Sequence, residues 1–353
     1  MAPFADVIVM GESEDLLKSM VDACFGGLTK QQTLAELSQL PGFFVPSHHG
    51  DAMPAVAQCN DTHLPAHSAI FTEEAVLSNM FLLESERGCS RACSFCVMRR
   101  STNGGMRLVA PQKIIETIPD QAKRVGLVGA AVSDHPKLVD IVRQIVDGGK
   151  EIGLASLRAD RLSPELVELL IRGGYRTLTV ASDGASENLR IALLKKIRAK
   201  HLLRAAELAG EFRMQQLKVY MMIGSPGETD ADIDELIDFS RQQAEICGKH
   251  TKVVLGIAPF VAKRNTPLDG EGFVGIREAE RRIHKIKLAL APRIDVRPTS
   301  SRWAWVEYQM AQGGSDAGLA ALEAWQQGGR FAHFKRAFAS RQATSSPKRL
   351  AII

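Results

Sequence analysis

Short apolar runs recur between residues 79 and 260, and segments with a helical pattern lie between them. The runs are MFLLE (80–84), VGLVGAAV (125–132), EIGLAS (151–156), TLTVAS (177–182), LKVYMMIG (217–224) and KVVLGIAPF (252–260). Apolar strands that alternate with helices are typical of a parallel sheet covered by helices. Six such units are too few for a complete eight-stranded barrel, so the pattern predicts an α/β fold with a partial (β/α)6 barrel.

The segments on either side of this alternation are less regular. The run DVIVM (6–10), followed by an amphipathic helix, predicts one βα unit over residues 1–27, without a partner strand of its own. Residues 28–78 carry turn residues and no sustained period, which predicts a connector. The barrel is expected over residues 79–298. Residues 299–353, rich in Trp and Phe, predict a helical extension whose aromatic side chains pack inward rather than stack on bases.

Composition changes this prediction little. The chain has 353 residues, of which 45% are hydrophobic and 24% charged, and a net charge of +4, values that are ordinary for a globular protein. No run approaches the roughly 18 apolar residues of a membrane span, and no signal segment begins the chain. We therefore expect a cytoplasmic protein without a membrane partner, and a nucleic-acid partner is not indicated.

Three of the six cysteines lie within eight residues, directly after the first predicted barrel strand. Cys89, Cys93 and Cys96 have the spacing C-x3-C-x2-C in the sequence RGCSRACSFC. Clustered thiols in a cytosolic chain indicate metal binding or catalysis rather than disulfides. A short loop with three thiolates can hold three irons of a 4Fe-4S cluster and leave the fourth iron open to another ligand.

The alternative interpretation of the triad is a zinc site or three unrelated buried thiols. A zinc site needs a fourth protein ligand, but His48, His49 and His63 have no tight spacing to the triad. The remaining cysteines stand apart from one another and are interpreted as structural residues: Cys24, Cys59 and Cys247.

The triad, with Phe95 before its third cysteine, resembles the radical S-adenosylmethionine superfamily. The segments PGFFVPS, SLRAD, YMMIGSPGET and PFVAKRNTPLD extend the likeness to the uncharacterised cobalamin-binding-domain radical S-adenosylmethionine proteins, relatives of the methylthiotransferases. The resemblance implies that Cys89, Cys93 and Cys96 are catalytic and ligate a 4Fe-4S cluster that cleaves S-adenosyl-L-methionine to a 5'-deoxyadenosyl radical. It also implies oxygen sensitivity and an electron donor such as flavodoxin or ferredoxin.

The resemblance further implies an S-adenosylmethionine pocket at the ends of the barrel strands. Gly129 and Ala130 stand where the superfamily often has a Gly-Gly-Glu turn for the amino group, although the Glu is missing here. Ser156 and Arg158 suit the carboxylate of the methionine moiety, and Asp183 suits the ribose hydroxyls. The full set of predicted cofactor-binding residues is Phe95, Gly129, Ala130, Ser156, Arg158, Asp183, Ser186, Ile223, Gly224 and Pro259. For several of these, a helix cap or a solvated turn is the competing interpretation.

Three functions remain open from the sequence. The first is a radical enzyme that modifies an unknown substrate. The second is a methylthiotransferase-like modifier of transfer RNA or a ribosomal protein, which the missing N-terminal cysteine set and RNA-binding tail disfavour. The third is a non-enzymatic iron-sulfur module.

Cobalamin is not expected in this chain alone. The N-terminal unit resembles the last βα unit of a cobalamin-binding domain whose remainder is truncated. Histidine-ligated cobalamin binding needs a D-x-H-x-x-G loop, and Asp61-Thr62-His63 lacks the glycine. One βα unit also has no neighbouring loops with which to enclose a corrinoid.

Overall fold

The computed structural model describes residues 1–50, 52–70, 72–98, 105–155 and 157–342. Its strands are β1 (Ile8–Val9), β2 (Phe43–Phe44), β3 (Met80–Glu84), β4 (Glu86–Gly88), β5 (Met106–Leu108), β6 (Arg124–Val128), β7 (Glu151–Leu154), β8 (Thr177–Ala181), β9 (Gln216–Ile223), β10 (Lys252–Pro259) and β11 (Asp295–Pro298). Its α-helices are α1 (Leu17–Phe25), α2 (Lys30–Leu37), α3 (Pro46–His49), α4 (Pro111–Thr117), α5 (Leu138–Asp147), α6 (Pro164–Arg172), α7 (Glu187–Ala192), α8 (Ala199–Glu211), α9 (Asp230–Cys247), α10 (Ile276–Leu290), α11 (Ser301–Gln312), α12 (Ser315–Gln326) and α13 (Phe331–Gln342).

Two parallel sheets form the barrel part of the fold. One has the strand order β3-β6-β7, and the other has the order β11-β10-β9-β8. All six predicted barrel strands are present, with ends that differ by a few residues from the apolar runs. The structure adds β11, which pairs in parallel with β10. Its sequence DVRP is short and half polar, so no apolar run marked it. The predicted fold class is confirmed.

Each barrel strand has one face under the helices and one face in the interior of the barrel. On β9, Leu217, Val219 and Met221 are buried in the main hydrophobic core, together with Leu83 of β3 and Leu127 of β6. Because side chains alternate along a strand, the residues between them point to the other face. The barrel interior is therefore lined by a second set of side chains, which the core does not cover.

The N-terminal unit contains more regular structure than the sequence pattern predicted. β1 pairs antiparallel with β2, so the expectation of a strand without a partner was wrong. Residues 28–78, predicted as an irregular connector, also contain α2, which begins at a capping box between Thr29 and Gln32. Phe43 of β2 is fully buried in the same hydrophobic cluster as Leu37. A strand of two residues is too short to show a hydrophobic period in the sequence, so it was not predicted.

The C-terminal helices pack on each other through aromatic side chains. Trp305 lies edge-on against Phe331 and Phe338, with ring centroids 5.8 and 5.9 Å apart. This contact agrees with the inward-packing interpretation for Trp305, whereas Trp303 and Trp325 are 49% and 69% exposed. None of the helices in the described ranges is long and apolar enough to cross a membrane.

The largest side chain in the core is charged. Arg190 of α7 is 2% exposed, and its guanidinium donates hydrogen bonds to the carbonyls of Ile197 and Gly184 at 3.1 and 3.3 Å. Burial holds the pKa of Arg190 below its ordinary value, although Glu187 and Glu235 oppose that effect. The side chain therefore fixes the turn after β8 to the segment after α7 by satisfying carbonyls that water does not reach.

We expect Arg190→Ala to lower the free energy of unfolding by about 3 kcal/mol or more, because the change leaves a cavity and unsatisfied carbonyls. Urea unfolding followed by circular dichroism measures this loss. Arg204→Ala is the matched control, since Arg204 lies on the surface of α8 and pairs with Glu207 three residues away. We expect that control to change stability by less than about 1 kcal/mol. Equal losses in the two variants would contradict a structural role for Arg190.

Candidate active site

The cysteine triad lies on the loop between β4 and β5, at the carboxyl end of β3. β4 and β5 form an antiparallel pair, and the Cys89 amide donates to the Gly105 carbonyl at 3.0 Å. The Ser94 amide donates to the Leu193 carbonyl at 3.1 Å, which joins the loop to the segment after α7. The three thiols are therefore presented from one loop that the backbone anchors on two sides.

A buried carboxylate holds the side chain of Arg91 within this loop. Asp134, which follows β6, accepts two hydrogen bonds from the Arg91 guanidinium, at 2.6 and 2.8 Å. It also accepts one from Arg161 at 3.1 Å, and Arg158 lies 3.7 Å away. Burial alone would raise the pKa of Asp134, but Arg91 and the other two arginines outweigh it and hold that pKa below its ordinary value. The loop is thus bound to the ends of β6 and β7.

The three thiols are free and partly buried. Burial raises the pKa of Cys89 and of Cys93, and the nearby Lys195 ammonium acts against this at Cys93. The sulfur atoms of the triad do not all lie within 4.8 Å of one another. A single tetrahedral zinc ion with Zn–S bonds of about 2.3 Å would hold its sulfurs about 4 Å apart. In a cubane cluster each thiolate binds a different iron, so the three sulfurs need not converge on one ion.

Within the described ranges, one group of three possible ligand atoms does lie within 4.8 Å: Glu12, Glu14 and Cys59. The two carboxylates of this group pair with arginines. Glu12 pairs with both Arg87 and Arg107, and Glu14 pairs with Arg87 at 2.6 Å. Burial would raise the pKa of Glu12, but its hydrogen bonds to Cys59 and Arg107 lower it to about 2. Burial and Glu12 raise the pKa of Cys59 to about 11. We call these five residues the N-terminal ionic cluster.

Glu86 is a buried carboxyl that sequence reasoning missed. It is 0% exposed, and its Oε1 accepts a hydrogen bond from the Ala131 amide at 2.7 Å. Its Oε2 is buried and has no hydrogen-bond partner. A Cβ on Gly129 would lie 2.1 Å from Glu86 Oε1, so the turn after β6 can approach this carboxyl only because that residue is glycine. Nothing in the local sequence indicates the hydrogen bond between Glu86 and Ala131, which are 45 positions apart.

The predicted cofactor residues at the turn after β6 and on the strand ends lie where parallel strands end together. Gly129 and Ala130 follow β6 directly. Ile223 and Pro259 are the last residues of β9 and β10 and are paired in register, and the Gly224 amide donates to Glu228 Oε1 at 2.7 Å. Phe95 is partly buried in the cysteine loop. Their contact with S-adenosylmethionine stays a prediction.

Other predicted cofactor residues already bind protein groups. Arg158 donates to both oxygens of Asp160 at 3.0 and 3.1 Å. Ser186 caps α7 and donates to Asp232 at 2.5 Å. These contacts are the ones that the competing interpretation as caps and turns anticipates. Ser156 lies outside the described residues.

Lys195 is a second group that sequence reasoning missed. Its ammonium pairs with Asp183, and it opposes the rise in the pKa of Cys93. Leu194 and Lys196 on either side have positive φ values of 54° and 59°, and Asp183 has a φ of 62°. Such backbone conformations in residues other than glycine cost energy and concentrate at functional sites. A basic pair after a short helix was the available signal in the sequence.

Glu228 also has a different environment from the helix-start charge considered from the sequence. Its side chain is fully buried, and it accepts a hydrogen bond from Arg282 at 2.5 Å. Burial raises its pKa, although its hydrogen bonds to Gly224 and Arg282 oppose that. Among described residues, buried side-chain oxygens without a partner concentrate near the strand ends and the cysteine loop, on Ser85, Glu86, Ser94, Ser225 and Glu228. Unsatisfied buried oxygens of this kind are typical of a site that receives a polar ligand.

Comparisons with known proteins agree with this arrangement. Residues 83–240, which include the triad, match the family model described as the radical SAM superfamily. An uncharacterized protein of Methanocaldococcus jannaschii, MJ0966, is 33% identical over 211 residues, which are 57% of this chain and 45% of that protein. The ribosomal protein uS12 methylthiotransferase RimO of Sorangium cellulosum is 26% identical over 179 residues, 44% of this chain and 36% of that protein. The matched parts thus span less than half of these relatives.

A solved structure matches most of the chain in fold. It is the cobalamin-dependent S-adenosylmethionine radical enzyme OxsB, with aqua-cobalamin and S-adenosylmethionine bound. The match covers 96% of this chain and 55% of that one, with a TM-score of 0.50 and 11% identity. The partial barrel, the triad within the matched region and the relatives point to the same class of protein. Residues 83–240 of the chain are similar to the radical SAM superfamily.

A pH experiment tests the environment of Glu86. Burial, despite the hydrogen bond from Ala131, raises its pKa from 4.5 to about 7. A carboxyl with a raised pKa binds its proton more tightly in the folded state, so stability falls as pH rises through this range and is constant above it. We expect Glu86→Gln, in protein without cluster, to be more stable than wild type by about 3 kcal/mol at pH 8 and to lose this advantage near pH 4.

Urea unfolding of both proteins across this pH range measures the difference. Glu116→Gln provides the control, because Glu116 is an exposed residue of α4 with the same change in charge. A stability difference for Glu86→Gln that does not vary with pH would show that this carboxyl is not in the environment described.

Proposed function

We propose that Cys89, Cys93 and Cys96 bind three irons of a 4Fe-4S cluster and that the barrel strand ends bind S-adenosyl-L-methionine. The main support for this proposal is that three free thiols lie on one anchored loop. Buried side-chain oxygens without a hydrogen-bond partner in the protein lie nearby. The donor set fits the cluster, because three thiolates leave one iron open. When bound, the cluster supplies the electron that cleaves S-adenosylmethionine to a 5'-deoxyadenosyl radical for modification of a substrate.

The protein groups position these cofactors and set the charge around them. Arg91 and Asp134 hold the cysteine loop against the end of β6. Lys195 and Arg158 place positive charge near Cys93, which favours thiolate over thiol and suits a carboxylate ligand. Glu86 holds the turn at Gly129, where the backbone carbonyls can accept hydrogen bonds from an amino group.

A methylthiotransferase activity is the second candidate, because relatives that carry this name align with about 44% of the chain. Transfer of sulfur to a transfer RNA or ribosomal protein would distinguish it from other radical modifications. We propose an electron donor such as flavodoxin or ferredoxin for either activity. The proposal does not specify the substrate or the reaction subclass. The expectation that the chain alone does not hold histidine-ligated cobalamin stays a prediction.

We predict that the reconstituted protein binds about four irons and that Cys93→Ala loses both the cluster chromophore and 5'-deoxyadenosine formation. Anaerobic reconstitution, iron analysis, absorbance and mass spectrometry of the product measure these effects. Cys24→Ala is the matched control, since Cys24 is an exposed thiol outside the triad, and it should retain both properties. A normal cluster spectrum in Cys93→Ala would remove the proposal.

Arg158 provides a separate test of the pocket. We expect Arg158→Ala to weaken S-adenosylmethionine binding about tenfold while the cluster stays intact, since a charge-assisted hydrogen bond contributes about 1.5 to 3 kcal/mol. Titration of the reconstituted protein measures the Kd. Arg161→Ala serves as control, because Arg161 contacts the same Asp134 but its side chain is half exposed. An unchanged Kd for Arg158→Ala would show that the cofactor does not contact this guanidinium.

A further inference from the structure

An aromatic and a basic residue lie together on the interior face of β9. Leu217, Val219 and Met221 point into the core under the helices, so Lys218 and Tyr220 point into the barrel. β9 is paired on both sides, with β8 and β10. Tyr220 is nevertheless 45% exposed. A tyrosine in the middle of a sheet keeps this exposure only where the barrel interior is open.

The neighbouring strands leave room for this tyrosine. Tyr220 is in register with Gly256 of β10 and Ala181 of β8. A Cβ on Gly256 would lie 2.7 and 2.8 Å from two carbons of the Tyr220 ring. The ring therefore lies across Gly256, and a larger residue there would push it away. Because Gly256 and Ala181 are small, no bulky side chain covers the Tyr220 ring from the neighbouring strands, and one face of the ring stays open to the barrel interior.

The opposite sheet lines the same interior with apolar atoms. Met80 of β3 covers two interior glycines, because added Cβ atoms on Gly126 and Gly153 would lie 2.8 and 3.2 Å from its sulfur. Leu82 covers Gly126 as well. The interior thus combines a hydrocarbon wall with the polar floor around Tyr220.

Lys218 brings a positive charge without a carboxylate. Its ammonium lies 4.5 Å from the centroid of the Tyr220 ring. Across the described ranges, no carboxylate oxygen lies within 4.0 Å of it, whereas the nearby Lys252 and Arg297 both pair with Asp295. A contact with an aromatic face contributes only about 0.5 to 2 kcal/mol and does not neutralise the charge. The Lys218 ammonium is available to an anion that enters the barrel.

We propose that Lys218 and Tyr220 form a substrate subsite for a small molecule with an anionic group and a flat or hydrocarbon body. Lys218 binds the carboxylate or phosphate, and the body packs on Tyr220 and against Met80. The inference rests on the proposed function, since it assigns the barrel interior to the substrate. Tyr220 lies three residues before the end of β9, about 10 Å below the strand ends at 3.3 Å per residue. A molecule about 10 Å long therefore spans from Tyr220 to the strand ends.

Three probes test the subsite by isothermal titration of the reconstituted protein with S-adenosylmethionine bound. They are 3-phenylpropionate, phenyl phosphate and the uncharged 3-phenylpropionamide. We expect at least one anionic probe to bind about tenfold more tightly than the amide, and its identity distinguishes a carboxylate from a phosphate substrate. Lys218→Met should lose this preference, and Lys218→Arg should restore it. Tyr220→Ala should weaken all three probes, whereas Tyr220→Phe should not.

The controls separate this inference from the proposed function. Lys285→Met removes a lysine of α10 that pairs with Asp234 and should leave probe binding unchanged. Iron content and S-adenosylmethionine affinity should be the same in Lys218→Met and wild type. The titration is repeated with protein that has no cluster, so that a missing cluster does not decide the result. Equal affinity for charged and uncharged probes, or unchanged binding in Lys218→Met, would overturn the subsite.

Discussion

The arrangement of the site depends on one buried carboxylate, Asp134. Its side chain is 4% exposed and binds arginines from the cysteine loop and from the segment after β7. An unpaired carboxylate at this depth would be very costly, so the arginines and the acid require one another. Arg91 supplies the two shortest contacts and connects the cysteine loop to the end of β6. Backbone hydrogen bonds of Cys89 and Ser94 also anchor this loop.

The same node limits which groups remain free for a ligand. Arg158 forms ion pairs with Asp134 and Asp160, and Asp183 forms an ion pair with Lys195. Among the residues that the structure describes, the charged groups near the triad are thus largely paired. Unpartnered oxygens are found instead on serines and on the buried acids Glu86 and Glu228. A ligand at the strand ends therefore meets neutral or protonatable acceptors as well as charged pairs.

Local sequence patterns predicted the parts of this molecule that local physics determines. Apolar runs predicted the six barrel strands, because each strand buries its helix-covered face in the main hydrophobic core. The spacing of Cys89, Cys93 and Cys96 gave the candidate cluster site, since three ligands on one loop need no knowledge of the fold. The pairing of β1 with β2 and the addition of β11 were missed, because those short strands are stabilised by distant partners. Glu86, Asp134 and Lys195 were missed for the same reason, as each acts on residues far away in the sequence.

The N-terminal ionic cluster links the N-terminal segment to the strands on either side of the cysteine loop, which are far from it in sequence. Arg87 lies two residues before Cys89 and binds Glu12 and Glu14. The free energy of docking the N-terminal segment is therefore coupled to the conformation of the cysteine loop. Such coupling is reciprocal: if iron incorporation strengthens the docking of the N-terminal segment by some factor, that docking strengthens iron binding by the same factor. Iron incorporation would thus be felt some 75 residues away in sequence, at Glu12. Anything that competes for that glutamate would, in turn, weaken the hold on iron.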